Sequence, residues 1–349
     1  MFNTTFTLLH TSDDNKSNLL MQQMFRDKTV LITGGLGFIG STLARRLVTL
    51  GARVTIVDSL IPEYGGNLFN IADIRDQVRV STFDIRETKL LKSIVSDQDY
   101  VFNLAGQTSH MDSMRDPYTD LDINCHAQLS LLEICREVNP DTKIVFASTR
   151  QMYGKPDYLP VDEKHLLRPV DVNGINKMAG EWYHILYNNV YGIRACALRL
   201  TNTIGPRMRV KDARQTFLGI WVRLLVEGKP FEIWDGHQLR DFTYVDDAVE
   251  AFLLAAASPE ANGEIYNLGG NEIINLNDLG QLLIDAAGGG KCIRKEFPAD
   301  RKRIDIGDFY ADYTKIQKAL GWQPRTPLRD GLARTVDYYR EHLAQYVED

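Results

Sequence analysis

The stretch Thr33-Gly34-Gly35-Leu36-Gly37-Phe38-Ile39-Gly40 decides the fold, because it joins an apolar run at residues 30–32 to a helical pattern at residues 41–50. Three of its glycines fall at every third position, Gly34, Gly37 and Gly40. Without a Cβ, such a turn lets the backbone approach a diphosphate and lets the next helix pack on the strand. The free N–H groups at the start of that helix favour an anion. The stretch therefore predicts a strand, a tight turn and a helix that cradle a diphosphate.

A carboxylate follows at the position where a dinucleotide site needs one. A second apolar run at residues 53–57 ends in Asp58, 18 residues after Gly40. A carboxylate there can accept hydrogen bonds from both adenosine ribose hydroxyls, and it would repel a 2′-phosphate. This context favours NAD over NADP as the cofactor. The structural alternative is a strand, turn and helix with incidental glycines.

Composition excludes several classes of protein. The chain has 349 residues and a net charge of −6, so it can bury a large core and offers no basic field for nucleic acid. No apolar run approaches the roughly 18 residues of a membrane helix, and we expect neither a nucleic-acid nor a membrane partner. The cysteines lack the spacing of a zinc site or a disulfide framework, which fits a reducing, cytoplasmic compartment. They are Cys125, Cys135, Cys196 and Cys292.

Apolar runs alternate with helical patterns through the first half of the chain. This alternation predicts an α/β fold, a doubly wound parallel sheet of the Rossmann type, with ligands bound beyond the carboxyl ends of the strands. The expected strands are 29–32, 53–57, 78–83, 100–104 and 144–147, and the clearest helices between them are 43–50, 88–95 and 119–138.

The second half is less regular and is punctuated by prolines. Its pattern predicts a smaller lobe with helices at 213–227, 246–257, 276–287, 313–320 and 328–346, and strands at 195–200 and 264–268 that can return to the main sheet. We therefore divide the chain into a loose polar N-terminal extension at 1–24, an NAD-binding Rossmann domain at 25–198 and a substrate-binding lobe at 199–349.

Residues at the predicted strand ends, together with Lys177, carry a resemblance to a known family. Asp84-Ile85 follow the third strand, Leu104-Ala105-Gly106 the fourth and Ser148-Thr149 the fifth. The segment at 199–207 looks like an R-x-x-N-x-x-G-P-R turn, and that at 240–247 like R-D-F-x-Y-V-x-D. From about residue 28 to 346 the chain resembles the extended short-chain dehydrogenase/reductase family, and within it the NAD-dependent nucleotide-sugar epimerases and dehydratases.

The resemblance implies both a cofactor and a substrate. The substrate is a nucleotide-diphosphate sugar whose diphosphate is held by Asn202 and Arg240, with Arg301 or Arg303 as a further candidate, and Arg207 also belongs to the implied substrate site. For Arg240 the alternative is a surface ion pair. The implied NAD site consists of Gly34, Gly37, Phe38, Ile39, Asp58, Asp84, Ile85, Leu104, Ala105, Gly106 and Lys177.

The reaction implied is epimerisation at C4 through a transient keto sugar. In the family, a Ser or Thr after the fifth strand and a Y-x-x-x-K pair handle the protons. Thr149 and Lys177 fit this pattern, but Asn173 stands where the tyrosine belongs. A carboxamide does not titrate near neutrality and cannot act as the base.

Three hypotheses follow from this departure. In the first, another group transfers the proton: Tyr153, His110, Asp112 or Lys177 itself. His110 is also consistent with a residue that only shapes the sugar pocket. In the second, the protein binds NAD and a nucleotide sugar without turnover. In the third, Asn173 was introduced to trap a complex.

Other reactions on the same scaffold stay open, namely those of a reductase, a decarboxylase or another epimerase. The family's 4,6-dehydratases place an Asp-Glu pair directly after the threonine, whereas this chain has Arg150 and Gln151, so that type is disfavoured. Arg150 is consistent with a contact to a substrate carboxylate or phosphate, or with a solvated surface residue.

Two predicted helices have wide apolar faces, which predicts a homodimer formed by a four-helix bundle. The alternative is that both faces pack against the sheet. The residues concerned are Leu121, Leu129, Leu132 and Cys135 on the first helix and Ala179, Trp182, Ile185 and Leu186 on the second.

Overall fold

The computed structural model describes residues 14–214, 216–298 and 305–347. The strands are β1 Thr29–Thr33, β2 Arg53–Asp58, β3 Val78–Thr82, β4 Tyr100–Asn103, β5 Lys143–Thr149, β6 Ala195–Leu200, β7 Asn202–Ile204, β8 Phe231–Trp234, β9 Leu239–Tyr244, β10 Ile265–Asn267, β11 Ile273–Asn275 and β12 Cys292–Lys295. The α-helices are α1 Asp14–Phe25, α2 Phe38–Thr49, α3 Thr88–Val95, α4 His110–Arg115, α5 Pro117–Leu121, α6 Ala127–Val138, α7 Val172–Tyr191, α8 Phe217–Val226, α9 Val245–Ala257, α10 Leu276–Ala286, α11 Thr314–Leu320, α12 Leu328–His342 and α13 Ala344–Val347.

A seven-stranded parallel sheet forms the centre, in the order β10-β6-β5-β4-β1-β2-β3. The chain runs outward from β1 in one direction to β3 and in the other to β6, so the order reverses between β1 and β4. That switch point opens a crevice at the carboxyl ends of the strands. The α/β Rossmann fold is confirmed, and the five strands predicted for the first half all form.

The sheet is covered on both faces, as the apolar character of β1 requires. Val30 and Ile32 pack into one core with residues of α2 and α9, while Leu31 packs into another with residues of α3 and α6. Consecutive residues of a strand point to opposite faces, so the run of apolar residues in β1 serves both cores.

The helix predicted at 119–138 is interrupted. It comprises α5, a π-helical turn at Asp122–His126 and then α6. Within that turn, the Asn124 Nδ2 donates to the carbonyl oxygen of Gln107 at 2.9 Å. Gln107 lies in the loop after β4, so the turn ties this helical region to the crevice. Single π-helical turns often occur beside functional sites.

The second half forms a lobe with its own core and also completes the main sheet. Its two small sheets have the orders β11-β9-β7 and β12-β8, and buried residues such as Trp221, Phe231 and Leu279 pack between them and the helices α8, α10 and α12. As predicted, both strand-like segments return to the main sheet, as β6 and β10.

The N-terminal segment differs from the expectation of a loose extension. Residues 1–13 lie outside the described part of the chain, but α1 covers residues 14–25. Met21 and Phe25 are fully buried in the core shared with α9, and the Phe25 ring centroid lies 5.0 Å from that of Tyr100. The polar composition around residues 11–18 concealed the short apolar face that anchors this helix. Among the described residues, no helix combines the length and apolar character needed to cross a bilayer.

Candidate active site

A cavity of about 260 Å³ lies in the crevice at the strand ends. This volume exceeds by far the space that one water needs, so the cavity suits a ligand. All of the residues predicted to hold NAD line it: Gly34, Gly37, Phe38, Ile39, Asp58, Asp84, Ile85, Leu104, Ala105, Gly106 and Lys177.

The glycine turn is shaped so that side chains do not fit. Gly34 has a φ of +69°, and a Cβ on it would lie 2.9 Å from the backbone of Ala105. A Cβ on Gly40 would lie 2.3 Å from the carbonyl oxygen of Gly34. The helix α2 begins directly after Gly37, and no side chain caps it. Its first N–H groups can therefore receive an anionic ligand such as a diphosphate.

Asp58 fixes the turn from the side of β2. Its Oδ2 accepts the backbone N–H of Leu36 at 3.0 Å, and its Oδ1 accepts that of Leu60 at 2.9 Å. Burial raises the pKa of Asp58, while the two N–H groups oppose that shift. Each carboxylate oxygen keeps a further lone pair, so Asp58 suits the ribose hydroxyls of a dinucleotide.

Asp84 is already paired within the protein. Its two oxygens accept from Arg86 Nε at 2.9 Å and Nη2 at 2.8 Å. Burial disfavours the charged carboxylate, but these bonds outweigh it and hold the pKa of Asp84 below its usual value.

We expect Gly40→Ala to weaken NAD binding by about tenfold or more, because the new methyl group must displace the Gly34 carbonyl and so distort the turn. Isothermal titration with NAD measures the effect. Gly228→Ala is the control, since Gly228 follows α8 and has open space around its Cβ position. It should cost stability through its positive φ and leave NAD affinity unchanged. Equal affinities for the two variants would contradict the prediction.

Thr149 and Lys177 both line the cavity. Thr149 ends β5, and its Oγ1 accepts the backbone N–H of Gln151 at 3.2 Å. The Lys177 Nζ donates to the carbonyl oxygen of Ala147 at 3.1 Å and lies 4.9 Å from the centroid of the Phe146 ring. Burial lowers the pKa of Lys177 to about 8, against the opposing charge of Asp120.

Asn173 also lines the cavity, but its carboxamide is bonded to the protein. The Nδ2 donates to the carbonyl oxygen of Gln107 at 2.8 Å and to Oδ2 of Asp120 at 3.1 Å. The fully buried Asp120 accepts two more carboxamide groups, from Asn124 at 3.0 Å and Asn176 at 2.8 Å. The sequence gives no signal for this cluster, because Asp120 lies in a helix more than fifty residues before Asn173.

Tyr153 is not brought to the cavity. Its side chain is fully buried, and its hydroxyl donates to Asn267 Oδ1 at 2.7 Å and accepts from Arg199 Nη1 at 2.6 Å. Burial raises the pKa of Tyr153 to about 12. The expectation that Tyr153 could replace the missing base is therefore wrong, because the chain turns this ring into a core instead of the crevice.

His110 lines the cavity and has a partner that the sequence prediction missed. Its Nδ1 lies 3.0 Å from Oδ2 of the buried Asp171. The available signal was the place of Asp171 immediately before the predicted helix, where an aspartate commonly caps the first turn. Asp171 does cap α7, by accepting the backbone N–H of Gly174 at 2.7 Å.

Only part of the predicted substrate set lies at the cavity. Asn202 lines it, whereas Arg301 and Arg303 fall outside the described residues. Arg207 is directed to α2 instead, where its Nε and Nη2 lie 3.3 Å from Thr42 Oγ1. Arg240 is buried beside the cavity, bonded to the carbonyl oxygens of residues 239 and 307. Neither arginine is on the cavity wall, because each guanidinium has protein acceptors nearby.

Arg150, whose role the sequence left open, lines the cavity. Its Nη2 donates to Asn202 Oδ1 at 3.2 Å, and its Cζ lies 4.8 Å from the centroid of the Phe309 ring. Burial lowers the pKa of Arg150 to about 9. Within the described residues it has no carboxylate at ion-pair distance, so an anionic ligand would complete its environment.

Comparison with known proteins places this site in a family. The model of the NAD dependent epimerase/dehydratase family matches residues 30–269. The chain is 35% identical to a Methanocaldococcus jannaschii protein over 317 residues, which are 90% of this chain and 99% of that one. It is similar to the structure of a UDP-glucose 4-epimerase from Thermotoga maritima with UDP-glucose, at 31% identity and a TM-score of 0.83, covering 90% and 99% of the two chains.

A dTDP-glucose 4,6-dehydratase from Streptomyces venezuelae, solved with NAD bound, is also similar, at 27% identity and a TM-score of 0.81 over 90% of this chain and 97% of that one. The cofactor of this protein is NAD, as the cradle and the family agree. The protein is an enzyme of the extended short-chain dehydrogenase/reductase type and belongs to the NAD dependent epimerase/dehydratase family.

Proposed function

We propose that the protein epimerises a nucleotide-diphosphate sugar at C4 through a transient keto sugar. One observation carries the proposal: Thr149 and Lys177 share a single cavity with the glycine cradle and Asp58. A sugar at Thr149 would therefore lie beside a dinucleotide held by the cradle. When bound, NAD supplies the acceptor and donor of the hydride that leaves and re-enters the sugar carbon.

The remaining work falls to the protein's own side chains. The N–H groups at the start of α2 hold the diphosphate of the dinucleotide, and Asp58 orients its ribose. Thr149 places a hydroxyl at the reacting end of the sugar. Asn202 and Arg150 receive the anionic part of the substrate, with Arg240, Arg301 and Arg303 as the further candidates. The proton needs a non-standard acceptor, because Asn173 replaces the tyrosine.

Epimerisation is favoured over 4,6-dehydration by the residues after Thr149. Elimination of water needs an added acid and base, but the next two residues are Arg150 and Gln151. The Gln151 Nε2 is bonded to Asp171 at 2.8 Å, so its amide serves the structure and not the substrate. The similarity to the epimerase solved with UDP-glucose supports UDP-glucose as a first substrate to test.

A second candidate function is favoured by Asn173. Its amide group is bonded to Gln107 and Asp120, and a protein that has lost the family's phenol could retain NAD and sugar binding without turnover.

A product assay by NMR separates these functions. The purified protein with NAD is incubated with UDP-glucose, UDP-N-acetylglucosamine, UDP-glucuronate and dTDP-glucose in turn. We expect conversion of at least one sugar to its C4 epimer. A 6-deoxy-4-keto product would identify a dehydratase instead. No product from the wild type, but product from Asn173→Tyr, would identify the binding protein.

We also propose that the protein forms a homodimer through one face of α7 and the neighbouring α5. Three residues of the predicted apolar faces are buried within the protein itself, namely Leu132, Cys135 and Ile185. The apolar surface available to a second subunit is therefore narrower than the sequence indicated. What remains is an exposed apolar surface, the α7 surface, whose members are 43–61% exposed: Leu121, Ile175, Trp182, Leu186 and Val190. Contiguous apolar patches of this kind commonly mark protein interfaces.

Trp182→Glu is expected to convert the dimer to a monomer, because it places a charge in the centre of the α7 surface. Sedimentation velocity over a range of concentrations measures the change. Leu166→Glu alters a side chain that is 58% exposed in a loop outside the surface, and it should leave the dimer intact. A wild-type protein that sediments as a monomer at every concentration would refute the dimer.

A further inference from the structure

The proposed reaction leaves the proton acceptor to be identified. Besides Arg150, the titratable side chains along the described cavity wall are Asp58, Tyr64, Asp84, His110 and Lys177. Asp58 ends β2, Tyr64 follows it and Asp84 follows β3, and both strands lie on the opposite side of β1 from β5, which carries Thr149. Burial lowers the pKa of Lys177 only to about 8, so near neutral pH it is mainly an ammonium, which donates to the carbonyl oxygen of Ala147 and has no lone pair to accept a proton. His110 is the group left on the sugar side.

The other acceptor named from the sequence, Asp112, is otherwise engaged. Its Oδ2 lies 3.1 Å from Arg214 Nε, and its Oδ1 lies 3.6 Å from Arg115 Nη1. It does not line the cavity. Asp112 is thus held by two guanidinium groups outside the cavity wall, where a sugar hydroxyl would not reach it.

His110 is held by a carboxylate in a way that sets its tautomer. Its Nδ1 lies 3.0 Å from Asp171 Oδ2, although the ring N–H is not well aligned with that oxygen. Because a carboxylate only accepts, Nδ1 is the nitrogen that carries the hydrogen in the neutral ring. No hydrogen bond to Nε2 is found among the described residues, and the side chain, which lines the cavity, is partly exposed. It is therefore free to accept a proton.

Asp171 is itself fixed and charged. Its side chain has no exposed surface; Oδ1 accepts the backbone N–H of Gly174 and Oδ2 accepts Gln151 Nε2. Burial works against the carboxylate, but the neighbouring His110 and the hydrogen bonds from Gly174 and Gln151 outweigh it and hold the pKa of Asp171 below its usual value. A charged, immobile Asp171 both orients the imidazole and stabilises the imidazolium that forms when Nε2 takes a proton.

We propose that His110 is the catalytic base that replaces the family's tyrosine, with Asp171 as its positioning residue. The inference rests on the proposed epimerisation. As the hydride leaves the sugar carbon, the O–H bond of the hydroxyl breaks, its electron pair forms the carbonyl, and the proton moves to His110 Nε2. On return of the hydride to the opposite face, the oxygen takes the same proton back, so the cycle neither consumes nor releases a proton.

Chemical rescue tests the base directly. His110→Ala with NAD and the UDP-sugar that the wild type epimerises should lose at least about 100-fold in kcat. Because 37% of the His110 side chain is exposed, added imidazole can enter the space left, and it should restore turnover in a saturable manner. UDP binding, measured by isothermal titration, should stay within about twofold, since the substitution leaves Asn202 and Arg150 in place. His237→Ala, in an exposed loop of the lobe, is the matched control and should behave as wild type.

Asp171→Asn tests the positioning role without relying on turnover. Asparagine is also a good helix cap, so α7 should keep its start while the charge beside His110 is lost. In protein labelled with ¹⁵N-histidine, the His110 resonances should move toward those of an imidazole with mixed tautomers. The comparison is Asp122→Asn, whose partner His126 is an exposed neighbour at 3.8 Å and should change little.

The possible outcomes distinguish the role of His110 from the proposed epimerisation itself. If the wild type epimerises a sugar but His110→Ala retains its kcat, or imidazole fails to restore turnover, the role of His110 is overturned and the proposed function stands. If the wild type converts no sugar at all, the proposed function fails first.

Discussion

Replacing Glu181 with glutamine is expected to lower the free energy of unfolding by about 3–5 kcal/mol, because it leaves a buried guanidinium without its counter-ion. Arg199 and Glu181 are 2% and 0% exposed, and their closest atoms are 2.6 Å apart. Ser148 donates to the same carboxylate at 2.7 Å. The pair therefore joins α7 to β6, and Ser148, the residue before Thr149, links it to β5.

Urea denaturation and thermal scans measure this loss, and a fall in Tm of about 4–7 °C is expected for a chain of this length. The control is Asp337→Asn, which breaks an ion pair with Arg340 whose side chains are 64% and 46% exposed. That change should cost less than about 1 kcal/mol, since water screens exposed pairs. Similar losses of unfolding free energy for the two variants would contradict the prediction, because the buried pair would then matter no more than an exposed one.

Asn173→Asp is expected to destabilise the protein by about 3 kcal/mol or more near neutral pH. The new carboxylate would lie against Asp120, where Asn173 Nδ2 is now 3.1 Å from Oδ2. At about 3 Å, two unit charges repel by about 5 kcal/mol for an effective dielectric constant near 20. The two carboxylates would relieve part of this repulsion by sharing a proton, which raises the pKa of one of them.

The sign of the pH dependence follows from that raised pKa. The folded variant binds a proton that the unfolded chain releases, so the penalty is full above the raised pKa and shrinks as the pH falls through it. Asn173→Leu serves as the control, because it removes the amide donor and adds no charge. We expect its penalty to be about 1–3 kcal/mol and to vary less between pH 8 and pH 5. Measuring both variants by urea denaturation at these two pH values decides the matter; a pH-independent penalty for Asn173→Asp would rule out a shared proton.

Local patterns were sufficient to predict the cofactor side of the molecule. The glycine spacing, the apolar runs and Asp58 depend on backbone geometry over short stretches, and the structure brings Gly34, Gly37, Gly40 and Asp58 to one cavity. The helix interruption at Asp122–His126 could not be foreseen, because the apolar pattern continues through it and its bond to the loop after β4 is visible only in the fold.

The residues predicted to surround the sugar are positioned by contacts between distant parts of the chain, and their places were predicted less well. Tyr153 is close to Thr149 in sequence, yet its hydroxyl is hydrogen-bonded to Arg199 and Asn267. These partners belong to β6 and β10, which come much later in the sequence. Arg207 likewise is directed to α2 and not to the cavity. The position of His110 after the fourth strand predicts that its ring lies in the crevice, as it does. Its carboxylate partner could not be predicted, because Asp171 lies some sixty residues further along the chain.

The strand β10 has a practical consequence for dissecting this protein. It forms the edge of the main sheet beside β6, although the lobe elements β7, α8, β8, β9 and α9 come between the two strands in sequence. A fragment that stops near residue 198 would lack it and would present the unpaired N–H and C=O groups of β6 to solvent, in a strand that is almost entirely buried. Such a fragment would tend to aggregate, and the two halves of the chain have to be produced and studied as one folding unit.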